Sequence, residues 1–456
     1  MKKNTLFAVV FLMFFAVSFT ACIKENVIEL EQDIAPIDDE VSNTDSAFVS
    51  VPVRYISLNE ARQELENILA AMDFSISKSG RKRSISSGFT LSSERKSLLK
   101  SSVSKDTTSI LVHVFNFEDE GGFAFMSATT ATPSLLALTE DGNIDTTKEI
   151  DNPGMIFFLE SLERYLANQE PVDDSVVSLS KRSHYPVHKC QYVFYTPKGG
   201  LCKTHWHQFM PYNKYCQTTE GKRAYAGCTP IATAQLLTIF KYPFEYNGYP
   251  FKWTNMSDDN AALLIQQLGL PHNLEVKYHD TTSTESSLAS EYNIPRTLKN
   301  LGFSDGGKII DYNTEKVVEE LQKGNGIVVS GKSHRIKHTQ KFLGIRVNTY
   351  YSHKEGHSWL VHGAFKQIMY EGTYYKKTKD TVWKTPTEET YVLCNWGWKT
   401  YDEYEGYYEY NGYYSSGVFD AIADVHFKED YFSLSKSNEK DGYYQYLLTA
   451  LVGVKK

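Results

Sequence analysis

The feature that most constrains the fold is an apolar helix that follows Gly227-Cys228-Thr229-Pro230. The run from Thr229 to Phe240 contains no charged residue, its proline stands where a first helical turn accepts it, and Tyr242-Pro243 ends it. A helix that lacks a polar face has to be buried on all sides. We therefore predict a large domain around this helix, and the chain that follows residue 189 is long enough to form one.

The N-terminus resembles an export signal. Met1-Lys2-Lys3 is positively charged, and the apolar run from Leu6 to Phe19 is shorter than the roughly 20 residues that a helix needs to cross a bilayer. The residues Phe19-Thr20-Ala21-Cys22 resemble a bacterial lipobox, which predicts a signal peptide over 1–21 and a lipid on Cys22. The protein is then extracytoplasmic and anchored to the outer membrane or cell surface. Two alternatives stay open: a signal that is cut elsewhere, and an uncleaved anchor.

Residues 22–50 are acidic and poor in aromatic residues, which predicts a solvated tether. A helix start follows at Ser57, and apolar residues then recur at helical spacing as far as Met72. The stretch from Ser75 to Ser109 is rich in Ser, Lys and Arg and indicates an exposed basic loop or a plain linker.

A β-hairpin is predicted for Ile110 to Phe117 and Phe123 to Ser127, because the two apolar runs flank Gly121-Gly122. A third strand at 134–138 and a helix over 155–166 complete a small α+β domain, to which we assign residues 51–171.

A domain boundary is predicted over 172–189, where acidic and small residues surround the basic pair Lys181-Arg182. This linker is a plausible processing site. The second domain is predicted to span 190–456, with strands at 326–331, 358–365 and 390–396.

The charge balance argues against nucleic-acid binding. The 456 residues include 48 Lys and Arg against 55 Asp and Glu, a net charge of -7, so no net positive field attracts a phosphate backbone. The six cysteines are too few for a disulfide scaffold, and no CxxC pair offers a structural zinc site.

Cys228 is the candidate nucleophile. It stands at the N-terminus of the predicted helix, where the partial positive charge favours thiolate over thiol and lowers the pKa. The alternative is a buried structural cysteine, which is common at helix starts.

A thiolate nucleophile needs an imidazole, and a third group that holds that imidazole in the right tautomer. His357 is favoured because it lies between Gly356 and the apolar strand that follows. His362, five residues further along and predicted to face the opposite side, and His353, in a polar loop, remain alternatives.

The predicted third group is Asn395, at the end of an apolar strand, with the Trp396 indole shielding the imidazole bond from water. His357 and Asn395 lie about 130 and 170 residues after Cys228, an order and span that papain-like cysteine proteases use. Gln208, located 20 residues before Cys228, is the candidate side-chain donor to an oxyanion. The alternative for Asn395 is a cap on an aromatic core strand.

Together these motifs resemble the streptopain family of cysteine peptidases, peptidase family C10. The resemblance rests on four motifs in order: Trp206-x-Gln208-x-x-Pro211-Tyr212-Asn213-x-x-Cys216, Gly227-Cys228-x-Pro230-x-Ala232-x-Ala234-Gln235, Gly356-His357-x-Trp359 and Asn395-Trp396-Gly397-Trp398. Members of this family with a lipoprotein signal are typical of Bacteroidetes.

The resemblance implies an α+β, papain-like fold, in which a helical part carries the cysteine and an antiparallel sheet carries the histidine and asparagine. It implies a cysteine endopeptidase, made as a zymogen, that cleaves protein or peptide substrates without a metal or cofactor. It also implies that residues 51–171 are an inhibitory pro-domain. Two other readings stay open: an inactive papain-fold adhesin or binding protein, and an acyltransferase or amidase with the same triad.

The sequence departs from the family at His207, His362 and Lys399, which bears on substrate preference and pocket shape. Four cysteines have no assigned role. They could form disulfides in an exported protein, with three possible connectivities, although a free packed thiol is the better interpretation of Cys394. These four are Cys190, Cys202, Cys216 and Cys394.

Overall fold

The structure is a computed structural model that describes residues 29–32, 53–72, 83–94, 109–169, 184–282, 287–333, 340–347, 356–375, 378–402, 406–423 and 446–456. The predicted signal peptide, Cys22 and His353 lie outside these residues. None of the helices in the described ranges is long and apolar enough to cross a membrane.

The described residues of the N-terminal third form two α-helices and seven strands. In chain order they are β1 (Glu29–Gln32), α1 (Leu58–Ala71), β2 (Ile85–Glu94), β3 (Ser109–Phe117), β4 (Phe123–Ser127), β5 (Leu135–Thr139), β6 (Glu149–Ile150), α2 (Pro153–Ala167) and β7 (His184–Phe194).

The predicted first helix is confirmed as α1. Ser57 and Glu60 form a capping box, in which each side chain accepts a hydrogen bond from the other residue's backbone. The apolar face predicted from the spacing is buried against the sheet and includes Leu65 and Ile68. The helix therefore owes its start to local capping and its position to packing.

Two stretches predicted to be unstructured contain strands. β2 lies inside the predicted basic loop and pairs with β3 along its whole length. β1 lies inside the predicted tether and pairs with β7. Both strands obtain their hydrogen bonds from partners distant in sequence, which local periodicity does not reveal.

The predicted hairpin of β3 and β4 is confirmed, with Val114 opposite Phe125. β5 and α2 are also present within a few residues of their predicted bounds. Asn152 caps α2 by accepting from the backbone of Gly154 and Met155.

After β7, the part of the chain that the structure describes forms five α-helices and thirteen strands. They are α3 (Cys228–Phe240), β8 (Glu245–Tyr246), β9 (Tyr249–Pro250), α4 (Asp258–Leu268), α5 (Ile294–Asn300), β10 (Asp305–Asp311), α6 (Thr314–Gln322), β11 (Ile327–Ser333), β12 (Gln340–Phe342), β13 (Ile345–Val347), β14 (His357–Tyr375), β15 (Asp380–Trp383), β16 (Thr387–Asn395), β17 (Thr400–Asp402), β18 (Gly406–Tyr408), β19 (Gly412–Ser415), α7 (Ser416–Ala423) and β20 (Tyr446–Lys455).

One antiparallel sheet of thirteen described strands runs through both halves of the chain. Its main order is β10-β20-β11-β14-β16-β19-β5-β4-β3-β2. The N-terminal strands join at β19, where Tyr414 pairs with Ala137 of β5. The protein is therefore α+β, as predicted, and its two predicted domains share a sheet.

The predicted linker over 172–189 ends within this sheet. Its residues 184–189 form the first part of β7, which pairs with β14 from Tyr375 to Phe365. A segment whose backbone is paired in a sheet is cleaved poorly by proteases, because cleavage needs an exposed and flexible segment. Residues 172–183 lie outside the described ranges.

Candidate active site

The N-terminus of α3 presents Cys228 beside the sheet. Gly227 precedes it with φ of 89°, a conformation that favours glycine, and a Cβ at this position would lie 3.1 Å from the carbonyl oxygen of Ser287. No side chain caps the helix. The first-turn backbone N–H groups beside the thiol thus have no acceptor from an N-cap side chain.

The Cys228 sulfur contacts the first residues of β14. Ser358, which directly follows His357, approaches the sulfur through its backbone N–H and its hydroxyl, and Thr229 does so in the same two ways. Cys228 is partly buried, and this burial raises the pKa of its thiol, while the Ser358 and Thr229 contacts oppose the shift.

The direction of this pKa shift differs from the prediction. The contacts from Ser358 and Thr229 favour the thiolate, but desolvation disfavours any charged form and outweighs them here. Burial therefore makes the Cys228 thiol harder to ionise in this structure.

His357 begins β14, with Gly331 of β11 opposite it, and its side chain is buried. Its Nε2 lies 2.7 Å from the carbonyl oxygen of Trp396. A carbonyl can only accept a hydrogen bond, so the proton is on Nε2 and Nδ1 is the basic atom. Burial lowers the pKa of His357 to about 4, although the Trp396 carbonyl works in the opposite direction.

The Asn395 side chain bonds to Gln235 in this structure. Its Nδ2 donates to Gln235 Oε1 at 2.6 Å and to the Thr204 carbonyl oxygen at 2.9 Å. Its Oδ1 accepts from Gln235 Nε2 at 3.2 Å and from the Gly397 backbone at 3.1 Å. The main chain of the next residue supplies the acceptor for the imidazole here, and the predicted role of Asn395 stays a prediction.

Gln235 is a residue of the site to which the sequence reasoning gave no role. It is fully buried in α3, two turns after Cys228, and its amide joins α3 to the end of β16 through Asn395. A buried side-chain amide requires a polar partner. This amide, in a helix whose other polar residues are threonines, was the available signal.

The Trp396 indole points into the core. Its Nε1 donates to the Tyr410 carbonyl oxygen at 3.0 Å and to the Tyr414 hydroxyl at 3.1 Å, and its ring lies 5.0 Å from that of Trp359. The predicted shielding role of the indole stays a prediction. Tyr410 and Tyr414 of the C-terminal half therefore pack against this indole.

Gln208 is buried near the start of α3, where its carbonyl oxygen accepts from the backbone of Ala226 at 3.1 Å. This position suits the predicted oxyanion donor, whose role stays a prediction. The neighbouring His207 is buried, and desolvation followed by the charge of Lys399 lowers its pKa to about 4.

The alternative histidine His362 is buried and hydrogen-bonded to the main chain. It is 2% exposed, and its Nδ1 accepts a hydrogen bond from the backbone of Cys202 at 3.2 Å. The other alternative, His353, lies outside the described residues.

Residues 151–157 of the N-terminal third cover the tryptophans of the site. The Asp151 carboxylate accepts from the Thr400 hydroxyl at 2.6 Å and lies beside the Trp398 side chain. Gly154 lies so close to Trp396 that an added Cβ would be 2.1 Å from the ring, and the Phe157 ring lies 5.5 Å from that of Trp359. The start of α2 is thus packed on the Trp-Gly-Trp segment.

All five cysteines in the described ranges are free. The possible disulfides are therefore absent from this structure, and Cys394 is a buried thiol, as predicted. In the same ranges no group of three His, Cys, Asp or Glu side chains could hold a metal ion.

The sequence model of the Peptidase C10 family matches residues 206–290. This segment is similar to the Peptidase C10 family. The match confirms the predicted resemblance and supports a cysteine peptidase. It includes Gln208 and Cys228, whereas His357 and Asn395 lie beyond it. No curated protein matches the chain significantly.

Two solved structures from Prevotella intermedia are similar to the chain. A prointerpain A fragment is 20% identical, with 79% of this chain and 98% of that chain covered and a TM-score of 0.43. The active interpain A cysteine protease is 25% identical, with 47% and 84% covered and a TM-score of 0.30.

Proposed function

We propose that the protein is a C10 cysteine endopeptidase, made as a zymogen, that hydrolyses peptide bonds in protein or peptide substrates through Cys228 and His357. The observation that supports this most is the contact between the Cys228 sulfur and Ser358, because it brings the start of α3 to the residue beside His357. The Trp396 carbonyl holds the proton of that imidazole on Nε2.

In the proposed reaction, Nδ1 of His357 accepts the thiol proton, and the Cys228 thiolate attacks the peptide carbonyl. The Gln208 amide and the Cys228 backbone N–H stabilise the oxyanion. The imidazolium then protonates the leaving amine. His357 finally activates a water that hydrolyses the thioester, which restores the thiol.

The pKa shifts of Cys228 and His357 support the zymogen part of the proposal. Burial raises the pKa of Cys228 and lowers that of His357, so both shifts disfavour the thiolate–imidazolium pair. Residues 151–157 contribute to the cover over the Trp-Gly-Trp segment. We propose that removal of residues 51–171 admits water and substrate and reverses both shifts.

The test is casein hydrolysis by the processed protein. We expect activity in wild type, inhibition by a thiol-alkylating epoxide, and loss in Cys228→Ala and His357→Ala. Cys202→Ser, which changes another buried thiol of the same half, serves as the matched control and should keep activity. A wild-type protein that binds proteins without cleaving them would indicate an adhesin, and acyl transfer without casein cleavage would indicate a transferase or amidase.

We further propose that Cys22 is lipidated and that the protein reaches the outer membrane or cell surface. Cys22→Ser should move the full-length protein out of the membrane fraction and abolish incorporation of a labelled fatty acid. Unchanged fractionation of Cys22→Ser would refute the anchor.

Processing is proposed to be autocatalytic and to fall within 172–183, the part of the linker before β7. Because the lipid lies on the pro-domain side, cleavage would release the peptidase unless the pro-piece stays bound. Normal cleavage of Cys228→Ala would disprove autocatalysis. Mature wild-type protein that remains on membranes after a high-salt wash would count against release.

A further inference from the structure

Three hydroxyl groups form a buried chain beside the Cys228 sulfur. Ser330 Oγ lies 2.8 Å from Ser358 Oγ, which lies 3.1 Å from Thr229 Oγ1. All three residues are at most 5% exposed. They come from three different elements, since Ser330 belongs to β11, Ser358 to β14 and Thr229 to α3.

The direction of the chain follows from counting hydrogens. Thr229 has one hydroxyl hydrogen and donates it to the Ala289 carbonyl oxygen at 3.1 Å, so its oxygen accepts from Ser358. Ser330 can then donate to Ser358. When Ser330 donates, the Ser358 hydrogen has two acceptors within reach: the Thr229 oxygen and the Cys228 sulfur.

Ionisation of the thiol changes which acceptor is stronger. A thiolate attracts a hydroxyl hydrogen more than a neutral oxygen does, because hydrogen bonds to charged groups are shorter and stronger. Rotation of one hydroxyl redirects the Ser358 hydrogen from Thr229 to the sulfur, and Ser330 continues to donate to Ser358. No heavy atom has to move.

We propose that Ser358 donates a hydrogen bond that stabilises the Cys228 thiolate, and that Ser330 is a positioning residue that orients the Ser358 hydroxyl. This inference rests on the proposed function, in which the thiolate is the nucleophile. The Ser358 hydroxyl is thus a donor to the thiolate in addition to the imidazole and the helix N-terminus.

The test is the rate at which iodoacetamide alkylates Cys228 in the full-length protein, followed by peptide mass mapping between pH 5 and 10. The elements around the thiol carry further titratable or charged groups, which are His357, His362, Lys366 and Glu371 on β14 and Lys332 on β11, while the rest of α3 carries no charged residue. These groups stay unchanged in every variant, so a shift of the midpoint reports on the hydroxyl chain.

In Ser358→Ala we expect the midpoint to move to higher pH and the rate at pH 7 to fall about tenfold, the effect of losing one charge-assisted hydrogen bond. Ser330→Ala should move the midpoint in the same direction by a smaller amount. Thr233→Val is the matched control. It removes a buried hydroxyl of α3 that bonds to the Thr229 carbonyl oxygen, and it should leave the midpoint unchanged.

The proposal is overturned if the Ser358→Ala midpoint equals that of wild type, or if the rate above the midpoint falls without any shift, since that reports altered access. If Ser358→Ala does not fold, as judged by its melting transition, an unshifted Ser330→Ala overturns the proposal. The proposed function fails separately, on casein hydrolysis, so a shifted midpoint in a protein that cleaves nothing would refute the peptidase and keep the thiolate donor.

Discussion

Nε2 of His357 lies 2.7 Å from the main-chain carbonyl oxygen of Trp396. Because the acceptor is a backbone atom, no side-chain substitution removes it directly. Substitutions can only displace it, and the Asn395–Gln235 pair holds the adjoining residue in place. The orientation of the imidazole thus depends on how the end of β16 is attached to α3.

This attachment predicts the behaviour of Asn395→Ala. The substitution leaves the Gln235 amide buried and unpaired, which should lower the free energy of unfolding by about 1–3 kcal/mol. We expect kcat to fall less than in His357→Ala. Urea unfolding measures the stability, and casein assays measure kcat. The matched control is Gln235→Leu, which removes the other amide of the pair. Loss of kcat equal to that of His357→Ala, with unchanged stability, would show instead that Asn395 acts on the imidazole.

The close packing of Gly154 on Trp396 predicts that Gly154→Ala separates α2 from the site. Alanine suits a helix better than glycine, so a loss of stability must come from the contact, where the new Cβ meets the ring at 2.1 Å. The full-length variant should melt at lower temperature and be processed faster than wild type. Scanning calorimetry and a time course on gels measure these effects, and an unchanged melting temperature would contradict the prediction.

The buried His357 predicts a loss of stability in acid. Its pKa is lowered from 6.5 to about 4 in the folded state, so the unfolded chain binds the proton more tightly. The resulting contribution of about 3 kcal/mol is complete above pH 6.5 and is lost as the pH falls toward 4. The free energy of unfolding, measured with urea, should therefore change less between pH 7 and pH 4 in His357→Gln than in wild type. In the exposed control His272→Gln it should change as much as in wild type. Equal slopes in His357→Gln and wild type would refute this.

Asp141 predicts a dependence of opposite sign. Burial, followed by the charge of Glu409, raises its pKa from 3.8 to about 7, although its carboxylate accepts from the backbones of Glu409 and Tyr410 at 3.1 and 2.8 Å. The folded state binds this proton more tightly, so the contribution to stability is complete below pH 3.8 and is lost as the pH rises through 7.

Asp141→Asn cannot ionise and should reduce the decrease of the melting temperature between pH 5 and 8. Thermal unfolding at several pH values measures this decrease. The exposed control Asp259→Asn should retain the wild-type decrease, and a variant at position 141 that also retains it would disprove the role of this carboxyl.

Local signals account for what the sequence predicted correctly. The capping box of α1 and the Gly-Cys-x-Pro start of α3 each depend on only a few consecutive residues. β2 is different, because its Ser-rich sequence shows little alternation and the strand exists through pairing with β3. The site divides in the same way. Cys228 and His357 were recognisable as chemical groups, whereas a backbone acceptor is invisible in a sequence, since every residue has one.

Pairing of β5 with β19 means that cutting the chain and separating its pieces are two different events. A break before β7 severs one covalent bond, yet the hydrogen bonds between Ala137 and Tyr414 and the packing of Gly154 on Trp396 remain. The immediate product would be a nicked complex of two polypeptides. Because reassociation is bimolecular, dilution would favour the free peptidase, whereas a high protein concentration at a surface would favour the inactive nicked complex.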